Sequence, residues 1–233
     1  MNVLVIPARW GSTRFPGKPL ALIKGVPMVV MVWGRVRGAK GFDRVVVGTD
    51  DDRVYDTCHR HEVDVVMTSE KCRNGTERCG EVANILRMKD DDLVVNVQGD
   101  EPLMDVSIPQ RLLFNLKMRP ELVWTAVRKI REGEDGKKDV VKCQVRGGYV
   151  DLFTRKNVKW GRHVHVGVYG YSAERLRQYV KRTPREDELK YGLEQLRWRE
   201  SLACISCDYR GVGVDRPADI NKVEELLSGP API

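Results

Sequence analysis

Apolar and polar positions alternate in short blocks along the first half of the chain. Apolar runs predict four β-strands, at Val3–Ile6, Val45–Val47, Asp64–Met67 and Leu93–Val97. The stretches between them predict three helices, near Met28–Arg37, Asp52–His61 and Glu77–Arg87. This β-α-β-α order predicts an α/β fold in which a mostly parallel sheet carries helices on both faces.

The order of elements changes after about residue 120. Four strand-like runs follow with few helices between them, at Leu122–Arg128, Val140–Val145, Tyr149–Phe153 and Val164–Tyr171. Strands that are not separated by crossover helices are typically antiparallel. We therefore expect the second half to form a smaller, mixed part of the sheet.

The carboxyl-terminal region predicts two more helices and a strand. A leucine stripe at i, i+4 and i+7 predicts a helix over Glu186–Glu200. A short strand is predicted at Val212–Val214, just before Asp215, and a last helix at Pro217–Leu227. No stretch is long enough to be a linker, so residues 1–233 are expected to form a single domain.

Two features bear on the cellular compartment. The longest apolar run, Val26–Trp33, is far shorter than the roughly 18 residues of a membrane helix, and the amino terminus lacks a signal-peptide pattern. The six cysteines are scattered, which is typical of free thiols. Cys204 and Cys207 match C-x-x-C, but no second pair accompanies them, which favours ordinary thiols over a metal site. A cytoplasmic protein without a membrane segment is expected.

The net charge of +7 raises the question of a nucleic-acid partner. The cations are dispersed, however, and the chain lacks a zinc finger, a basic helix and an aromatic ribonucleoprotein motif. A site for a small polyanion explains the excess equally well.

A cation-rich turn follows the first predicted strand. Residues 7–18 read PARWGSTRFPGK and place Arg9, Arg14 and Lys18 among two glycines. A glycine-containing turn at the carboxyl end of a parallel strand offers backbone N–H groups to anionic oxygens, and open α/β sheets bind ligands at that edge. Neither GxxxxGK[ST] nor G-x-G-x-x-G is present. The pattern predicts a nucleoside triphosphate site, although a solvated loop explains the composition alone equally well.

Two aspartates stand at the ends of predicted strands. Asp100 follows the run LVVNVQG, and Asp215 follows Gly213-Val214. Carboxylate oxygens together with phosphate oxygens and water are the ligands that Mg²⁺ prefers. A lone aspartate at such a place is more often a helix cap or turn former. Together with the three cations, the pair predicts a clamp for a magnesium-bound triphosphate.

The chain as a whole resembles the CMP-Kdo synthetase family, also called 3-deoxy-manno-octulosonate cytidylyltransferases. The matching motifs run in the same order over nearly the whole chain and are Pro7-Ala8-Arg9, Gly17-Lys18-Pro19-Leu20, Asn74 to Arg78, Asn96 to Pro102, His165 to Tyr171, Leu193 to Arg197 and Val214-Asp215. The resemblance implies a Rossmann-like nucleotidyltransferase fold, a homodimer and CMP transfer from CTP to a 2-keto-3-deoxy sugar acid, ahead of lipopolysaccharide or capsule assembly.

The resemblance also implies roles for individual residues. The nucleotide would be bound by Pro7, Ala8, Arg9, Ser12, Lys18, Asn74, Gly75, Thr76 and Arg78. Catalysis would depend on Arg9, Arg14, Lys18 and Asp100, with Asp100 and Asp215 as ligands of the cofactor Mg²⁺. The sugar pocket would be lined by Gln98, Arg155, His165, Tyr169, Glu194 and Gln195, where Arg155 suits a carboxylate in a bidentate way.

Taken alone, the sugar-pocket residues have simpler explanations. His165 and Tyr169 share one face of a strand and are compatible with core packing, while Glu194 and Gln195 flank an apolar stripe. The connection between Arg155 and His165 is also shorter than is usual in the family, which leaves open the dimer contact and one wall of the pocket. The alternatives are an amino-substituted or nine-carbon sugar acid, a catalytically silent homologue and, third, nucleic-acid binding.

Overall fold

The computed structural model describes residues 1–12, 14–157, 162–198, 200 and 202–229. In chain order, its elements are β1 (Asn2–Ala8), a 3-10 turn (Lys18–Leu20), β2 (Leu22–Ile23), β3 (Val26–Pro27), α1 (Met28–Val36), β4 (Arg44–Thr49), α2 (Asp52–Arg60), β5 (Val65–Met67), α3 (Gly75–Ile85), β6 (Leu93–Val97), α4 (Ser107–Met118), β7 (Trp124–Lys129), β8 (Lys142–Arg146), β9 (Tyr149–Thr154), β10 (His163–Ser172), α5 (Ala173–Lys181), α6 (Glu186–Tyr191), a 3-10 helix (Glu194–Trp198), β11 (Leu202–Ser206) and α7 (Ala218–Ser228).

Nine strands form one sheet in the order β5-β4-β1-β6-β10-β7-β11-β9-β8. The first four are parallel to one another, whereas β10 is antiparallel to both β6 and β7. Strand β8 pairs with β9 and also with β10, so the last five strands close into a ring. The α/β fold and its mixed second half are therefore confirmed, and the single-domain assignment stays a prediction.

The central strands are buried on both faces. Along β1, Leu4 and Ile6 pack into one hydrophobic cluster with α1, α2 and α4, while Val3 and Val5 pack into a second cluster with α3 and α5. This alternation explains why the strand reads as a continuous apolar run rather than an alternating one. The carboxyl ends of β1 and β6 lie side by side, since Val5 is in register with Asn96.

No helix within the described ranges is long and apolar enough to cross a bilayer.

Two of the predicted elements near the carboxyl terminus are wrong. The helix expected over Glu186–Glu200 ends at Tyr191, because Gly192 adopts a left-handed conformation with φ of 60°, and a separate 3-10 helix follows. Glycine commonly ends helices in this way. Residues 212–214 form no strand; instead the Val214 N–H donates to the Asp100 carbonyl at 2.8 Å.

Two helices have no counterpart in the sequence analysis. Helix α5 lies in the half that was expected to contain few helices, and Ser172 caps its amino terminus by accepting from the Arg175 N–H. Its buried face comprises Ala173, Leu176 and Tyr179. Helix α4 has a proline, Pro109, in its first turn, which is compatible with a helix start.

Candidate active site

The turn that follows β1 is held by Trp10. The backbone N–H of Trp10 donates to the Asp50 carboxylate at 3.0 Å, and the Arg53 guanidinium lies 3.5 Å from the centre of the indole ring. On the other side, Gly17 adopts φ of 69° and lies so close that a Cβ there would be 2.9 Å from the ring. Only glycine fits this conformation without strain. The packing of Trp10 thus turns the chain back and returns Lys18 to the edge of the sheet.

A cleft of about 1050 Å³ opens at this edge. The predicted residues that line it are Pro7, Ala8, Arg9, Ser12, Arg14, Lys18, Asn74, Gly75, Arg78, Gln98, Asp100, Arg155, His165, Tyr169, Glu194, Gln195 and Asp215. Thr76 lies behind the wall instead, where it is 1% exposed and donates its backbone N–H to Glu194 at 3.1 Å. The fold therefore brings residues from both halves of the chain to one cavity.

Cations and carboxylates form two ion pairs near the carboxyl ends of β1 and β6. The Lys18 ammonium is 2.5 Å from the Asp100 carboxylate and donates to the Val214 carbonyl at 3.0 Å. Arg14 contacts the Asp215 carboxylate through two nitrogens, at 2.8 and 3.3 Å. The turn after β1 therefore faces both aspartates, and the clamp for a magnesium-bound triphosphate stays a prediction.

The two aspartates are chemically suited to a Mg²⁺ ion that is bound to a nucleotide. Both side chains are about one-third exposed to the cleft, 32% for Asp100 and 31% for Asp215. Within the described ranges, no cluster of three or more His, Cys, Asp or Glu side chains is arranged to hold a metal by itself. Magnesium is usually held by one or two carboxylates, with phosphates and water completing its shell, so the site suits a metal–nucleotide complex better than a resident ion.

Glu101, which the sequence analysis left without a role, lies against this pair. Its carboxylate accepts from the Tyr209 hydroxyl at 2.5 Å. Enclosure of the carboxylate raises the pKa of Glu101 to about 7, and the negative charge of Asp100 adds to the effect. Its position directly after Asp100 was the signal that could have identified it.

Helix α3 presents its amino terminus to the cleft. Asn74 caps the helix by accepting from the Glu77 N–H at 2.9 Å, and its amide donates to the Tyr179 hydroxyl at 3.0 Å. Arg78 has little freedom, because its guanidinium is 2% exposed and pairs with Asp50 at 2.7 Å. The cap explains how Asn74 is oriented. Arg78 also holds Asp50, which accepts from the backbone N–H of Trp10 in the turn after β1.

On the other side of the cleft, His165 is neutral and has a defined tautomer. The Thr125 hydroxyl donates its proton to the Val168 carbonyl, so the His165 Nε2 must be the donor in its 2.9 Å contact with that hydroxyl. The Nδ1 atom is therefore left as an acceptor. Burial, together with the charge of Arg155, lowers the pKa of His165 to about 3.

Two further polar side chains define the enclosed end of the pocket. The Tyr169 hydroxyl donates to the side-chain amide oxygen, Oε1, of Gln195 at 3.3 Å. The buried Gln195 Nε2 has no hydrogen-bond partner among the described residues. An unpaired buried amide is unfavourable, so this group is suited to donating to a bound molecule.

Glu194 joins the two walls of the cleft. It accepts from the Thr76 N–H at 3.1 Å and from the Gln98 amide at 3.2 Å. Enclosure raises the pKa of Glu194 to about 7, and the nearby Glu188 charge adds to the effect. The break at Gly192 is what turns Glu194 and Gln195 toward the cavity, since a continuous helix would have left them at its surface.

The Arg155 guanidinium is already engaged with backbone carbonyls. Its Nε donates to Tyr191 at 3.1 Å, and its Nη1 donates to Asp139 at 3.2 Å and Lys138 at 3.5 Å. Of the three guanidinium nitrogens of Arg155, only Nη2 has no hydrogen-bond partner among the described residues. The bidentate contact that the sequence analysis expected therefore requires the Nη1 bonds to be exchanged for bonds to a carboxylate.

A buried ion network fixes the two walls relative to each other. Arg197 is 1% exposed and donates to Glu77, in the first turn of α3, at 2.6 Å and to Glu188, in α6, at 2.9 Å. Because α3 carries Asn74 while Arg197 follows Gln195, the network connects both ends of the cleft. Breaking a buried pair of this kind typically destabilises a protein by about 3–5 kcal/mol.

The basic loop between β7 and β8 also reaches the cleft. Its unpredicted lining residues include Arg131, Lys137, Lys138 and Asp139, and Arg128 lines the cleft from the end of β7. The run of charges in the sequence was a signal for a loop but not for its place. The short connection before His165 lies partly at residues 158–161, outside the described residues, so the inference that it alters a dimer contact and a pocket wall stays a prediction.

A mixed sheet with a cationic turn and Asp100 at the carboxyl ends of neighbouring parallel strands, and with Asp215 paired to the same turn, is typical of an enzyme that binds a nucleotide. Residues 3–204 match the sequence profile described as cytidylyltransferase. The chain belongs to the cytidylyltransferase family, which confirms the class of enzyme expected from its motifs.

Relatives of known name agree with this assignment. The chain is 41% identical to the 3-deoxy-manno-octulosonate cytidylyltransferase of Myxococcus xanthus, over 97% of this chain and 96% of the relative. It is 36% identical to the 8-amino-3,8-dideoxy-manno-octulosonate cytidylyltransferase of a Shewanella species, over 98% and 99%. The solved structure of a CMP:2-keto-3-deoxy-manno-octonic acid synthetase complexed with CTP has a TM-score of 0.88 at 32% identity, covering 97% of this chain and 98% of that one.

Proposed function

We propose that this protein transfers CMP from CTP to the anomeric hydroxyl of 3-deoxy-D-manno-octulosonate (Kdo) or of its 8-amino relative, releasing pyrophosphate. The observation that carries the proposal is the single cleft in which Lys18 and Arg14 face Asp100 and Asp215 beside an enclosed polar pocket. The likeness to a synthetase complexed with CTP supports the nucleotide. The 8-amino sugar is included because relatives named for it match the full length of the chain.

The charges at the cleft suit the displacement of pyrophosphate. The anomeric oxygen forms a bond to the α-phosphorus of CTP, and the bond to the bridging oxygen breaks in line with it. Lys18 and Arg14 are placed to move from their aspartates to phosphate oxygens and to neutralise the charge that develops on the leaving group. The reaction needs orientation and charge neutralisation more than a covalent intermediate.

Magnesium is part of this proposal. Asp100 and Asp215 would hold the ion once their cations turn to the phosphates. When bound, Mg²⁺ neutralises phosphate charge and lowers the pKa of a hydroxyl that it contacts.

The sugar acid would be recognised by neutral hydrogen-bonding groups and one cation. The His165 Nδ1 acceptor and the Gln195 amide donor suit hydroxyl groups, while the Arg155 Nη2 suits the carboxylate. Gln98 and Glu194 connect this pocket to the nucleotide side.

Pyrophosphate release over a panel of acceptors tests the proposal. We expect release with CTP, Mg²⁺ and either Kdo or 8-amino-Kdo, loss of release in EDTA, and recovery when Mg²⁺ is added back. Preference for a nine-carbon sugar acid would redirect the proposal to that substrate. A folded protein that releases no pyrophosphate with any acceptor would be a silent homologue, and the proposal would be wrong.

We also propose a homodimer, on the family resemblance, and a cytoplasmic location, on the six scattered cysteines, which are typical of a reducing compartment. Light scattering at enzyme-assay concentrations tests the first, and a single-subunit mass would contradict it. Fractionation of the source cells tests the second.

A further inference from the structure

Lys142, the first residue of β8, is a fully buried lysine with 0% exposure. Its ammonium donates to three backbone carbonyls, those of Lys137 at 2.8 Å, Asp135 at 3.0 Å and Arg155 at 3.3 Å. All its hydrogen-bond partners among the described residues are thus backbone carbonyls. Burying a charge is unfavourable unless it is well satisfied, so a lysine here indicates that these three bonds matter.

The three carbonyls belong to segments that form one wall of the cleft. Lys137, Lys138 and Asp139 line the cavity, and Arg155 is the residue proposed to contact the sugar carboxylate. The Arg155 guanidinium in turn donates to the carbonyls of residues 138 and 139. Two cations therefore donate to backbone carbonyls of the same stretch, here called the 135–139 segment. Lys142 bonds to residues 135 and 137, and Arg155 bonds to residues 138 and 139.

Strand pairing alone does not require a cation at this position. Lys142 lies opposite Thr154 in β9 and opposite Val164 in β10, and both pairings use only backbone groups. An apolar side chain of similar length would keep the sheet and lose only the bonds to the loop and to Arg155. The ammonium is therefore distinguished by what it holds in the cleft wall.

We propose that Lys142 is a positioning residue that holds Arg155 and the 135–139 segment in the geometry that receives the sugar acid. The inference depends on the proposed function, because it assigns the pocket to a sugar acid. Lys142 does not touch the substrate and acts only through the carbonyls that it anchors. Its loss should therefore affect the sugar acid more than CTP. The segment contacts the cationic turn through Asp139 and Arg14, whose exposed side chains are 3.9 Å apart, and an exposed pair of this kind contributes little.

The test compares Lys142→Met with the matched control Lys117→Met, an exposed lysine on α4. For Lys142→Met we expect KM for the sugar acid to rise about tenfold, equivalent to about 1.4 kcal/mol, with KM for CTP within about twofold of wild type. Trypsin should cleave after Lys137 and Lys138 faster than in wild type, because the segment loses its anchor. The control should match wild type in both measurements.

The outcomes separate the two proposals. A wild-type protein that releases no pyrophosphate refutes the proposed function, whereas a folded Lys142→Met with unchanged KM for the sugar acid and unchanged trypsin cleavage refutes only the role of Lys142. An equal rise of KM for both substrates also refutes it. Should Lys142→Met fail to fold, Lys142→Gln retains two donors, and the same split between the KM values decides.

Discussion

The two ends of the cleft solve different problems with different side chains. At the parallel end, formed by β5, β4, β1 and β6, partly exposed cations and carboxylates face one another in the pairs Lys18–Asp100 and Arg14–Asp215. At the ring end, formed by β10, β7, β11, β9 and β8, the cavity is lined by neutral His165 and other hydrogen-bonding groups, together with Arg155 and cations of the loop between β7 and β8. The first end suits charge neutralisation, and the second suits recognition of hydroxyls and a carboxylate.

The difference follows from how each part of the sheet supplies residues. Parallel strands place loops at their carboxyl edge, where side chains are hydrated and can exchange partners. The antiparallel strand β10 supplies His165 and Tyr169 from within the strand, where neighbouring strands restrict both side chains. The parallel end can therefore change its ion pairs when a ligand binds, while His165 and Tyr169 at the ring end keep their hydrogen bonds.

The largest effect is expected at the parallel end, for Asp100→Ala. This change removes a proposed metal ligand and leaves Lys18 without its carboxylate, so kcat should fall at least about 100-fold. Pyrophosphate release at saturating Mg²⁺ measures it, with Asp91→Ala, an exposed aspartate, as the control. A near-normal rate at high Mg²⁺ would show that Asp100 does not hold the metal.

A smaller effect, confined to one substrate, is expected at the ring end for Arg155→Ala. Because charged hydrogen bonds contribute about 1.5–3 kcal/mol, KM for the sugar acid should rise about 10- to 100-fold while KM for CTP changes little. Steady-state kinetics against each substrate measure the split, and Arg146→Ala, an exposed arginine at the end of β8, is the control. An effect on CTP alone would move Arg155 to the nucleotide side.

The same contrast explains what the sequence could predict. The apolar run at Val3–Ile6 is β1 in the structure, and Lys18 lies beside Asp100 because β1 and β6 are parallel neighbours whose carboxyl ends share one edge. Asp215 reaches the same place without the strand that was expected before it. These features depend on local pattern and on one rule of topology.

The ring end was less accessible to sequence reasoning. Glu194 and Gln195 reach the pocket only because Gly192 ends α6, and the leucine stripe concealed that break even though glycine itself was a possible stop signal. The bond from Arg155 to the Tyr191 carbonyl joins residues 36 positions apart, and the bonds from Lys142 to the Asp135 and Lys137 carbonyls depend on the path of an irregular loop. No periodicity indicates either set of bonds. The family resemblance, rather than pattern, identified the residues of this pocket.

The ionisation of Glu194, at the ring end, should make the thermal stability of the protein depend on pH. Its pKa is about 7 in the folded protein against an ordinary 4.5, so its contribution to stability is complete below about pH 4.5 and is lost as the pH rises through 7. The Tm of Glu194→Gln relative to wild type should therefore increase between pH 5 and pH 8 and then level off. Thermal unfolding measures it, with the exposed Glu186→Gln as control, and a constant difference across this range would contradict the assignment.

The smallest effect is expected for the pH dependence of His165→Gln. Because the pKa of His165 is lowered to about 3, the ring is neutral from pH 5 to pH 8 and should contribute no ionisation to catalysis in that range. Glutamine retains an acceptor for the hydroxyl that Nδ1 would contact, so kcat/KM for the sugar acid should fall only severalfold. The pH profile should keep the shape of wild type, including any step near pH 7 from Glu194 or Glu101, since both carboxyls remain.

The exposed His59→Gln serves as the control for this pH profile. A step near pH 6 to 7 that disappears only in His165→Gln would mean that His165 ionises during turnover, and the ring end would then handle charge as the parallel end does.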